Sequence, residues 1–432
     1  MGTTSAETPF CLNDARPDPR DLYGRPDDEE NYLKGLDKGV KGLRIAFITT
    51  FVPASEDIGL LRRTVAGMRD QRYTAVGAVD VWVLDEGDDP AVRALCEELG
   101  AHHFTRAGVE RWNREGGRNA SRTKHGNINA FLDHVAEDGV AYEVFAGVDP
   151  DHAPRPEFLE RMLGFLRDPA VGYVVAPQTY GNAGGNLVAR LAESCQFVFH
   201  SLIQRSANLA GSPMFVGTNY LVRMEAIQAI GGMQDSITED ALTGLRLNAA
   251  GWRGVYTPDE LAVGEGPEPW RDFYSQQYRW ARGADDILRA EWRTIARLPW
   301  RQRLHHCLVL TYYPSVGVAW PLGVLCCGLY ALTGATGLMV PVGIWMTLYL
   351  DVAASQLVLF LWARRLNVSA QEQAGSSGVG GLLMATMAAP VYTKAIVDCV
   401  LGRPARFVVT PKGAAASTDG LGVFHRHGWW AL

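Results

Sequence analysis

The hydrophobic positions between residues 42 and 178 follow two alternating patterns. Short apolar runs rich in β-branched residues stand at 42–50, 79–85, 142–149 and 171–178. Between them, at 58–68, 91–100, 127–139 and 156–168, apolar residues recur three and four positions apart, as on one face of a helix. Strands separated by helices of about ten residues predict βαβ units, and therefore an α/β fold with a mostly parallel sheet.

Acidic residues follow two of these predicted strands directly. Asp85 ends the second run and Glu86 follows it, while Asp149 ends the third run and Asp151 comes two positions later. Ligands of such sheets bind beyond the carboxyl ends of the strands, so we expect both acidic groups to face one crevice.

The pattern changes completely near Leu304. From Cys307 to Leu350, 44 consecutive residues include no Asp, Glu, Lys, Arg or His, whereas a membrane-spanning helix needs only about 20 apolar residues. The turn-like sequence TGATG divides the run into predicted transmembrane helices at about 307–332 and 338–362. Arginines precede the first helix and follow the second, which predicts a multi-pass membrane protein with both ends in the cytoplasm.

A third apolar stretch, 379–401, contains Pro390 and carries Lys394 and Asp398. Basic residues follow it, as expected of a cytoplasmic tail. A helix that lies in the membrane interface therefore fits this stretch better than a third span, which is the alternative.

The composition narrows the function classes. The 432 residues include 41 basic and 47 acidic side chains, for a net charge of −6, and this argues against a nucleic-acid partner, which calls for a basic surface. The seven cysteines form no C-x-x-C pair, so the sequence predicts neither a zinc site nor a disulfide framework. Residues 1–41 are polar, with no apolar signal segment, and are expected to form a flexible arm in the cytoplasm.

The pair Asp149-x-Asp151 offers hard oxygen ligands for Mg²⁺ or Mn²⁺, which would stabilise charge on a leaving diphosphate. By itself such a pair is more often a set of solvated loop acids. Asp85, at the neighbouring strand end, could contact a nucleotide base or ribose, and its local alternative is a helix N-terminal acid.

Two further groups of polar residues follow later in the chain. Asp240 in the sequence TED precedes a helical run, where a carboxylate serves either as a helix cap or as a general base. Gln276, Arg279 and Trp280 share one face of a predicted helix and would offer an amide, a cation for phosphate and a flat apolar platform. The alternative is an amphipathic helix on the membrane surface.

Taken together, the motifs resemble the processive-type family 2 glycosyltransferases of the cellulose synthase and hyaluronan synthase group. They stand in the family order as TTFVPASED (49–57), VLDEG (83–87), KHGNIN (124–129), DPDHAP (149–154), GTN (217–219), TED (238–240), QQYRW (276–280) and FVVTPK (407–412). No single motif is specific, but eight in order, with the predicted membrane spans between the seventh and the eighth, make a chance match very improbable.

The resemblance implies a GT-A fold and an inverting, metal-dependent transfer from a nucleoside diphosphate sugar, most often a UDP-sugar. It implies that Asp240 is the catalytic base and that Asp149 and Asp151 bind Mg²⁺ or Mn²⁺. The donor-binding residues implied are Asp85, Lys124, Asp149, Arg279, Phe407, Thr410 and Lys412, the last three in a gating loop. The acceptor-binding residues implied are Glu239, Gln276 and Trp280.

With this resemblance, the chain divides into five predicted parts. They are the arm at 1–41, a GT-A catalytic domain at 42–265, amphipathic interface helices at 266–303, two transmembrane helices at 304–363, and an interfacial helix with a cytoplasmic tail at 364–432.

The departures from the family concern the acceptor. Glu86 stands where the family has a second Asp, and His125 where it has a small residue. Two spans cannot enclose a polysaccharide channel, so either subunits associate as a homo-oligomer or this chain exports nothing. The acceptor is then a glycan, a lipid-linked molecule or a small molecule at the cytoplasmic face of the cell membrane. The competing hypotheses are a nucleotidyltransferase, disfavoured because the first strand leads into a loop without glycine, and a catalytically inactive membrane scaffold.

Overall fold

The structure is a computed structural model that describes residues 43–73, 78–335, 340–369 and 378–404. The predicted arm at 1–41 lies outside these residues, as do Phe407, Thr410 and Lys412 in the predicted gating loop.

The described chain alternates strands and helices and then becomes helical. The strands are β1 Ile45–Phe51, β2 Val79–Asp85, β3 His102–Phe104, β4 Val144–Val148, β5 Ala153–Pro154, β6 Val171–Val175, β7 Thr179–Tyr180, β8 Tyr220–Arg223, β9 Arg253–Tyr256 and β10 Ala262–Gly264. The α-helices are α1 Ile58–Arg69, α2 Pro90–Leu99, α3 Lys124–Glu137, α4 Phe158–Leu163, α5 Leu187–Val198, α6 Gln204–Ala207, α7 Met224–Ala229, α8 Glu239–Ala249, α9 Trp270–Arg297, α10 Trp300–Thr333, α11 Val342–Ala363, α12 Val379–Met387 and α13 Ala389–Val400.

Seven strands form the central sheet, in the order β3-β2-β1-β4-β8-β6-β9. Strands β1, β2, β3 and β4 pair in parallel, as do β6 and β9, whereas β8 is antiparallel to both of its neighbours. A second sheet, β5-β10-β7, is small. The predicted α/β class with a mostly parallel sheet is confirmed.

The core lies on both faces of the central sheet because successive side chains of a strand point to opposite faces. Phe47 packs with Leu61 and Val65 of α1 on one face, and Ile48 packs with Phe131 of α3 on the other. Every residue of β4 is buried, which explains why its sequence is uniformly apolar rather than alternating.

The C-terminal part contains three helical segments that are long and apolar enough to cross a membrane, Trp300–Thr333, Val342–Leu366 and Val379–Val400. The first begins earlier than the predicted span and ends at Gly334, whose φ of 69° suits a glycine cap in the predicted TGATG break. In the apolar part of the first two segments, 6% and 0% is buried within the protein, whereas 50% of the apolar part of the third segment is buried.

The third segment packs against the protein itself. A Cβ atom on Gly317 of α10 would lie 2.8 Å from the carbonyl carbon of Tyr392 in α13, so the glycine allows the two helices to touch. The hydroxyl of Tyr278 in α9 donates to Asp398 Oδ2 of α13 at 2.7 Å. The placement of this segment in the membrane interface stays a prediction.

Candidate active site

A cavity of about 750 Å³ opens beyond the carboxyl ends of the parallel strands. Its lining includes Thr50 near the end of β1, Val52 just after β1, Glu86 and Gly87 after β2, and Asp149 after β4. Its lining also includes Lys124, Asp151, Glu239, Asp240, Gln276, Arg279 and Trp280, all of which the sequence marked as candidates. The motifs that are far apart in the chain therefore meet at the predicted edge of the sheet.

Lys124 and Asp149 form an ion pair in the lining of the cavity. Lys124 stands at the start of α3, where its ammonium pairs with Asp149 Oδ1 and donates to the carbonyl of Gly217 at 2.6 Å. The Asp149 backbone N–H donates to Thr218 Oγ1 at 2.8 Å, which links the DPDHAP and GTN motifs. Burial alone would lower the pKa of Lys124, but the carboxylates of Asp149 and Glu239 outweigh it and raise that pKa.

Asp151 lies deeper than Asp149, and its side chain is 8% exposed. Its Oδ1 atom lies 3.2 Å from Nδ1 of the next residue, His152, which also lines the cavity. Asp149, Asp151 and His152 each offer a ligand atom within 4.8 Å of the others, a group that could hold a metal ion. The donor set of two carboxylates and an imidazole therefore fits a divalent cation.

Asp240 stands in the first turn of α8, and its carboxylate approaches Gly217, as does the ammonium of Lys124. A Cβ atom on Gly217 would lie 3.1 Å from Asp240 Oδ2 and 3.7 Å from Lys124 Nζ, so the glycine keeps this approach open. The TED motif also packs closely against α9. A Cβ atom on Gly283 of α9 would lie 2.2 Å from Thr238 Oγ1. The close packing at these two glycines positions the TED motif.

The pKa values of both acids of the TED motif, Glu239 and Asp240, are raised. Burial, and then the charge of Asp240, raise the pKa of Glu239 to about 7. Burial also raises the pKa of Asp240, and Asp149 adds to this rise, whereas Lys124 and Arg279 oppose it. A carboxylate with a raised pKa is a stronger base than an ordinary aspartate, which suits the abstraction of a proton from a hydroxyl.

Gln276, Arg279 and Trp280 lie on the cavity side of α9, as the helical spacing predicted. Gln276 bonds to Tyr180, which also lines the cavity. The adjacent Gln277 points away and accepts from the hydroxyl of Tyr392 in α13 at 2.6 Å. Helix α9 thus presents one face to the cavity, while Gln277 next to that face bonds to α13.

Asp85 has the surroundings of a structural acid. Its side chain is 0% exposed, and its two oxygens accept from the N–H groups of Gly87 and Asp89 at 2.9 and 2.6 Å. His103 Nε2 lies 3.1 Å from the same carboxylate. These contacts fit the local alternative of an acid at a helix N-terminus, since Asp89 caps α2. Its predicted contact with a nucleotide stays a prediction.

The two departures from the family pattern have structural partners. Glu86 accepts from Arg106 at both carboxylate oxygens, at 2.9 and 2.8 Å. The buried guanidinium of Arg106 also donates to the carbonyls of Trp112 and Ala120, so this ion pair holds the loop that precedes Lys124. His125 is buried, with Nε2 3.3 Å from the carbonyl of Gly117.

Glu56 is a cavity residue that sequence reasoning missed. It lies in the TTFVPASED motif, and its Oε2 accepts from the Val52 N–H at 2.6 Å. Burial, with smaller effects of Asp151 and Asp149, raises its pKa to about 8. Glu56 follows β1, and β1 pairs in parallel with β4. This position after a neighbouring parallel strand is the signal that could have placed Glu56 beside the DPDHAP motif.

Sequence comparisons agree with these motifs. The family profile described as "Glycosyl transferase family group 2" matches residues 145–362, and that of "Glycosyl transferase family 2" matches residues 49–231. The chain is 28% identical over 275 residues to a "Cellulose synthase catalytic subunit [UDP-forming]" of Xanthomonas axonopodis pv. citri, covering 62% of this chain and 35% of that protein. It is 29% identical over 274 residues to "Cellulose synthase 1" of Komagataeibacter xylinus, covering 62% and 17%. The chain thus spans about a third or less of the length of these relatives.

The chain is less similar in sequence to two solved structures than to these relatives. Glucosyl-3-phosphoglycerate synthase from Mycobacterium tuberculosis, in complex with Mn²⁺, UDP and glucosyl-3-phosphoglycerate, is 14% identical with a TM-score of 0.39, covering 60% of this chain and 82% of that chain. Mannosyl-3-phosphoglycerate synthase from Rubrobacter xylanophilus is 17% identical with a TM-score of 0.39, covering 62% and 80%.

The two family profiles together cover the cavity-forming motifs from TTFVPASED to QQYRW as well as the first two long apolar helices. The group 2 profile alone covers half of the chain. The chain therefore belongs to the family 2 glycosyltransferases.

Proposed function

We propose that this chain catalyses an inverting transfer of a sugar from a nucleoside diphosphate sugar to an acceptor hydroxyl. The observation that carries the proposal is the shared cavity, in which Asp240 stands with Asp149, Asp151 and Arg279. A base and a diphosphate site within one cavity are the two elements that a single displacement requires.

On the acceptor side, Asp240 takes the proton of the attacking hydroxyl as its oxygen forms a bond to the anomeric carbon. The bond from that carbon to the diphosphate oxygen breaks in the same step, so the configuration inverts and the reaction uses no protein nucleophile. Trp280 and Gln276, on the adjoining face of α9, would hold the acceptor sugar, and Glu239 stands next to the base.

On the donor side, Lys124 and Arg279 supply positive charge where the diphosphate leaves. Preorganised cations of this kind stabilise the charge that develops in a transition state. Asp149 and Asp151 would hold Mg²⁺ or Mn²⁺, and such an ion acts as a Lewis acid on the leaving diphosphate.

The donor we propose is a UDP-sugar, supported by the name of the relative described as UDP-forming. The acceptor is a glycan, a lipid-linked molecule or a small molecule at the cytoplasmic face of the cell membrane. The lipid bilayer is the expected environment of the long apolar helices, and association of subunits would be needed for any channel that they form.

The test is transfer by the full chain, purified in detergent and supplied with a panel of radiolabelled nucleotide sugars and Mg²⁺ or Mn²⁺. Asp240→Asn, which keeps the shape of the side chain, provides the background. We expect one UDP-sugar to label a product, and mass analysis of that product separates a polymer from a single addition. Nucleotide binding without transfer from any donor would favour the inactive scaffold instead.

A further inference from the structure

Tyr180 is a buried residue of the cavity lining, and its side chain is held from several sides. It ends β7 and is 3% exposed. Its backbone N–H donates to Glu193 Oε2 of α5 at 3.0 Å. A Cβ atom on Gly266 would lie 2.7 Å from the ring atom Cδ2, so the glycine leaves the space that the ring occupies. The hydroxyl of Tyr180 is therefore presented from a fixed position.

Two glutamine side chains approach this hydroxyl. Gln196 of α5 donates to it from Nε2, and Gln276 of α9 also bonds to it. Because Gln276 Oε1 is buried without a hydrogen-bond partner among the residues that the structure describes, the amide nitrogen of Gln276 makes this bond. An amide nitrogen can only donate. The Tyr180 oxygen thus accepts from both glutamines.

His200 fixes the orientation of the Gln196 amide. It lies in the π-helical turn 199–203 that follows α5, with Nε2 3.2 Å from Gln196 Oε1. Burial lowers the pKa of His200 to about 3, so the ring is neutral and carries one hydrogen. With that hydrogen on Nε2, it pairs with Gln196 Oε1. The reverse amide orientation would put the hydrogen on Nδ1, which is buried without a partner within the described ranges, and a buried unpaired N–H is costly.

The result is a hydrogen-bond donor beside an acceptor in the lining of one cavity. Since the Tyr180 oxygen accepts two bonds, the hydrogen of its O–H group is left to donate. The neighbouring Gln276 Oε1 is left to accept, and both residues line the cavity. A hydroxyl group accepts and donates at once, whereas an ammonium cannot accept and an ionised phosphate oxygen cannot donate. The pair therefore matches a neutral hydroxyl.

We propose that Tyr180 and Gln276 bind one hydroxyl of a sugar in the cavity, with Tyr180 as a specificity-determining residue. The Tyr180 O–H donates to the oxygen of that hydroxyl, and the hydroxyl donates to Gln276 Oε1. The inference rests on the proposed function and adds to it the recognition of a single substrate group, on either the donor sugar or the acceptor sugar. A buried pair that requires a hydroxyl rejects an analogue that lacks it, because both protein groups are then left unpaired.

The experiment measures kcat/KM of the full chain in detergent with two series of monodeoxy analogues. One series is made from the UDP-sugar that the donor panel selects, and the other from the acceptor that its product identifies, excluding the attacking hydroxyl. We expect one position in one series to lower kcat/KM about 10²-fold, and the series in which it occurs tells which sugar is bound.

Tyr180→Phe removes only the hydroxyl and should abolish this discrimination. It lowers kcat/KM for the natural substrates about tenfold or more, while the sensitive deoxy analogue reacts within about threefold of its rate with the unaltered chain. Tyr142→Phe is the matched control, since it also removes a buried hydroxyl, one that donates to Asp80 Oδ2 at 2.8 Å outside the cavity lining. The control should keep the discrimination.

Transfer that tolerates every deoxy position within about threefold would overturn the inference and leave the proposed function standing. Discrimination that persists in Tyr180→Phe would also overturn it. The two series with the unaltered chain decide the matter if the variant does not fold. An absence of transfer from every donor would instead contradict the proposed function, and the inference with it.

Discussion

Replacing Asp240 by Asn tests the assignment of the catalytic base. The substitution keeps the size of the side chain, and the amide oxygen can still accept the hydrogen bond that the Ala241 N–H donates to Oδ1 at 2.8 Å. What it removes is the ability to take a proton from the acceptor. General base catalysis contributes about 10²- to 10⁴-fold, so we expect kcat to fall by that factor, or by about 3 to 5.5 kcal/mol of transition-state stabilisation.

Donor binding should change little, because two electrostatic effects oppose each other. Asp240 Oδ2 and Lys124 Nζ would lie 3.1 and 3.7 Å from one Cβ position on Gly217, so they are at most about 7 Å apart. Two opposite unit charges at that distance or less attract each other by at least about 2 kcal/mol at an effective dielectric constant of about 20. The variant loses this attraction to Lys124, but it also loses a similar repulsion between Asp240 and the bound diphosphate. We therefore expect the Kd for UDP to stay within about threefold.

The assay combines initial rates of transfer with calorimetric titration of UDP into the same detergent-purified protein. Asp138→Asn is the matched control, since its side chain is 56% exposed on the surface at the end of α3. Turnover within about threefold of the unaltered chain would refute the role of Asp240. A loss of UDP binding equal to the loss of turnover would show that the residue acts in donor binding instead.

Four further predictions concern the same cavity. Arg279→Lys should lower kcat about 10²-fold in steady-state assays, because an ammonium cannot replace the two parallel hydrogen bonds of a guanidinium. Asp151→Ala should remove the gain in UDP affinity that Mn²⁺ provides in calorimetry; equal affinity with and without Mn²⁺ in the unaltered chain would contradict the metal site. Because burial raises the pKa of Asp240 and the base acts deprotonated, kcat should rise with pH along an acid limb above the range of an ordinary aspartate, and Lys124→Met should move that limb to higher pH. Gly217→Ala places a Cβ 3.1 Å from Asp240 Oδ2 and should lower kcat about tenfold while leaving the thermal unfolding temperature unchanged, which kinetics and a melting curve would check.

The strand ends are the part of the site that sequence reasoning placed well. Asp149 follows a strand that is apolar throughout, and parallel strands bring their carboxyl ends to one edge, so its position in the cavity could be predicted. The helical spacing of Gln276, Arg279 and Trp280 likewise predicted that they share a face. That Asp240 meets this edge came from the family motif order, since local patterning does not determine which loop lies opposite a strand end.

The roles of individual side chains were harder to anticipate. Asp85 stands at a strand end like Asp149, yet its oxygens are taken up by the N–H groups of its own turn, a local geometry that residue spacing does not determine. Glu56 was missed because its perturbed pKa arises from burial near Asp151 and Asp149, which is a property of the folded cavity. The place of His152 depends on Gly264, more than a hundred residues away in the chain.

The packing of the third apolar stretch also could not be predicted from the sequence. Hydrophobicity alone located 379–401 as a candidate for the membrane, and its charged residues favoured the interface. The structure divides the stretch into α12 and α13 and packs α13 against α9 and α10. The contacts that accomplish this, Tyr278 with Asp398 and Gly317 with Tyr392, join distant parts of the chain.

The most direct test of the account is the anomeric configuration of the first product. A cavity with one base and one leaving-group site performs a single displacement, so an α-linked nucleotide sugar should yield a β-linked product. Proton NMR of the newly formed linkage, recorded early in the reaction, distinguishes the two configurations by their anomeric coupling. A β-linked product is the predicted result. An α-linked product would mean that the reaction proceeds through a different arrangement of groups, and it would contradict the role of Asp240 together with the opposing diphosphate site.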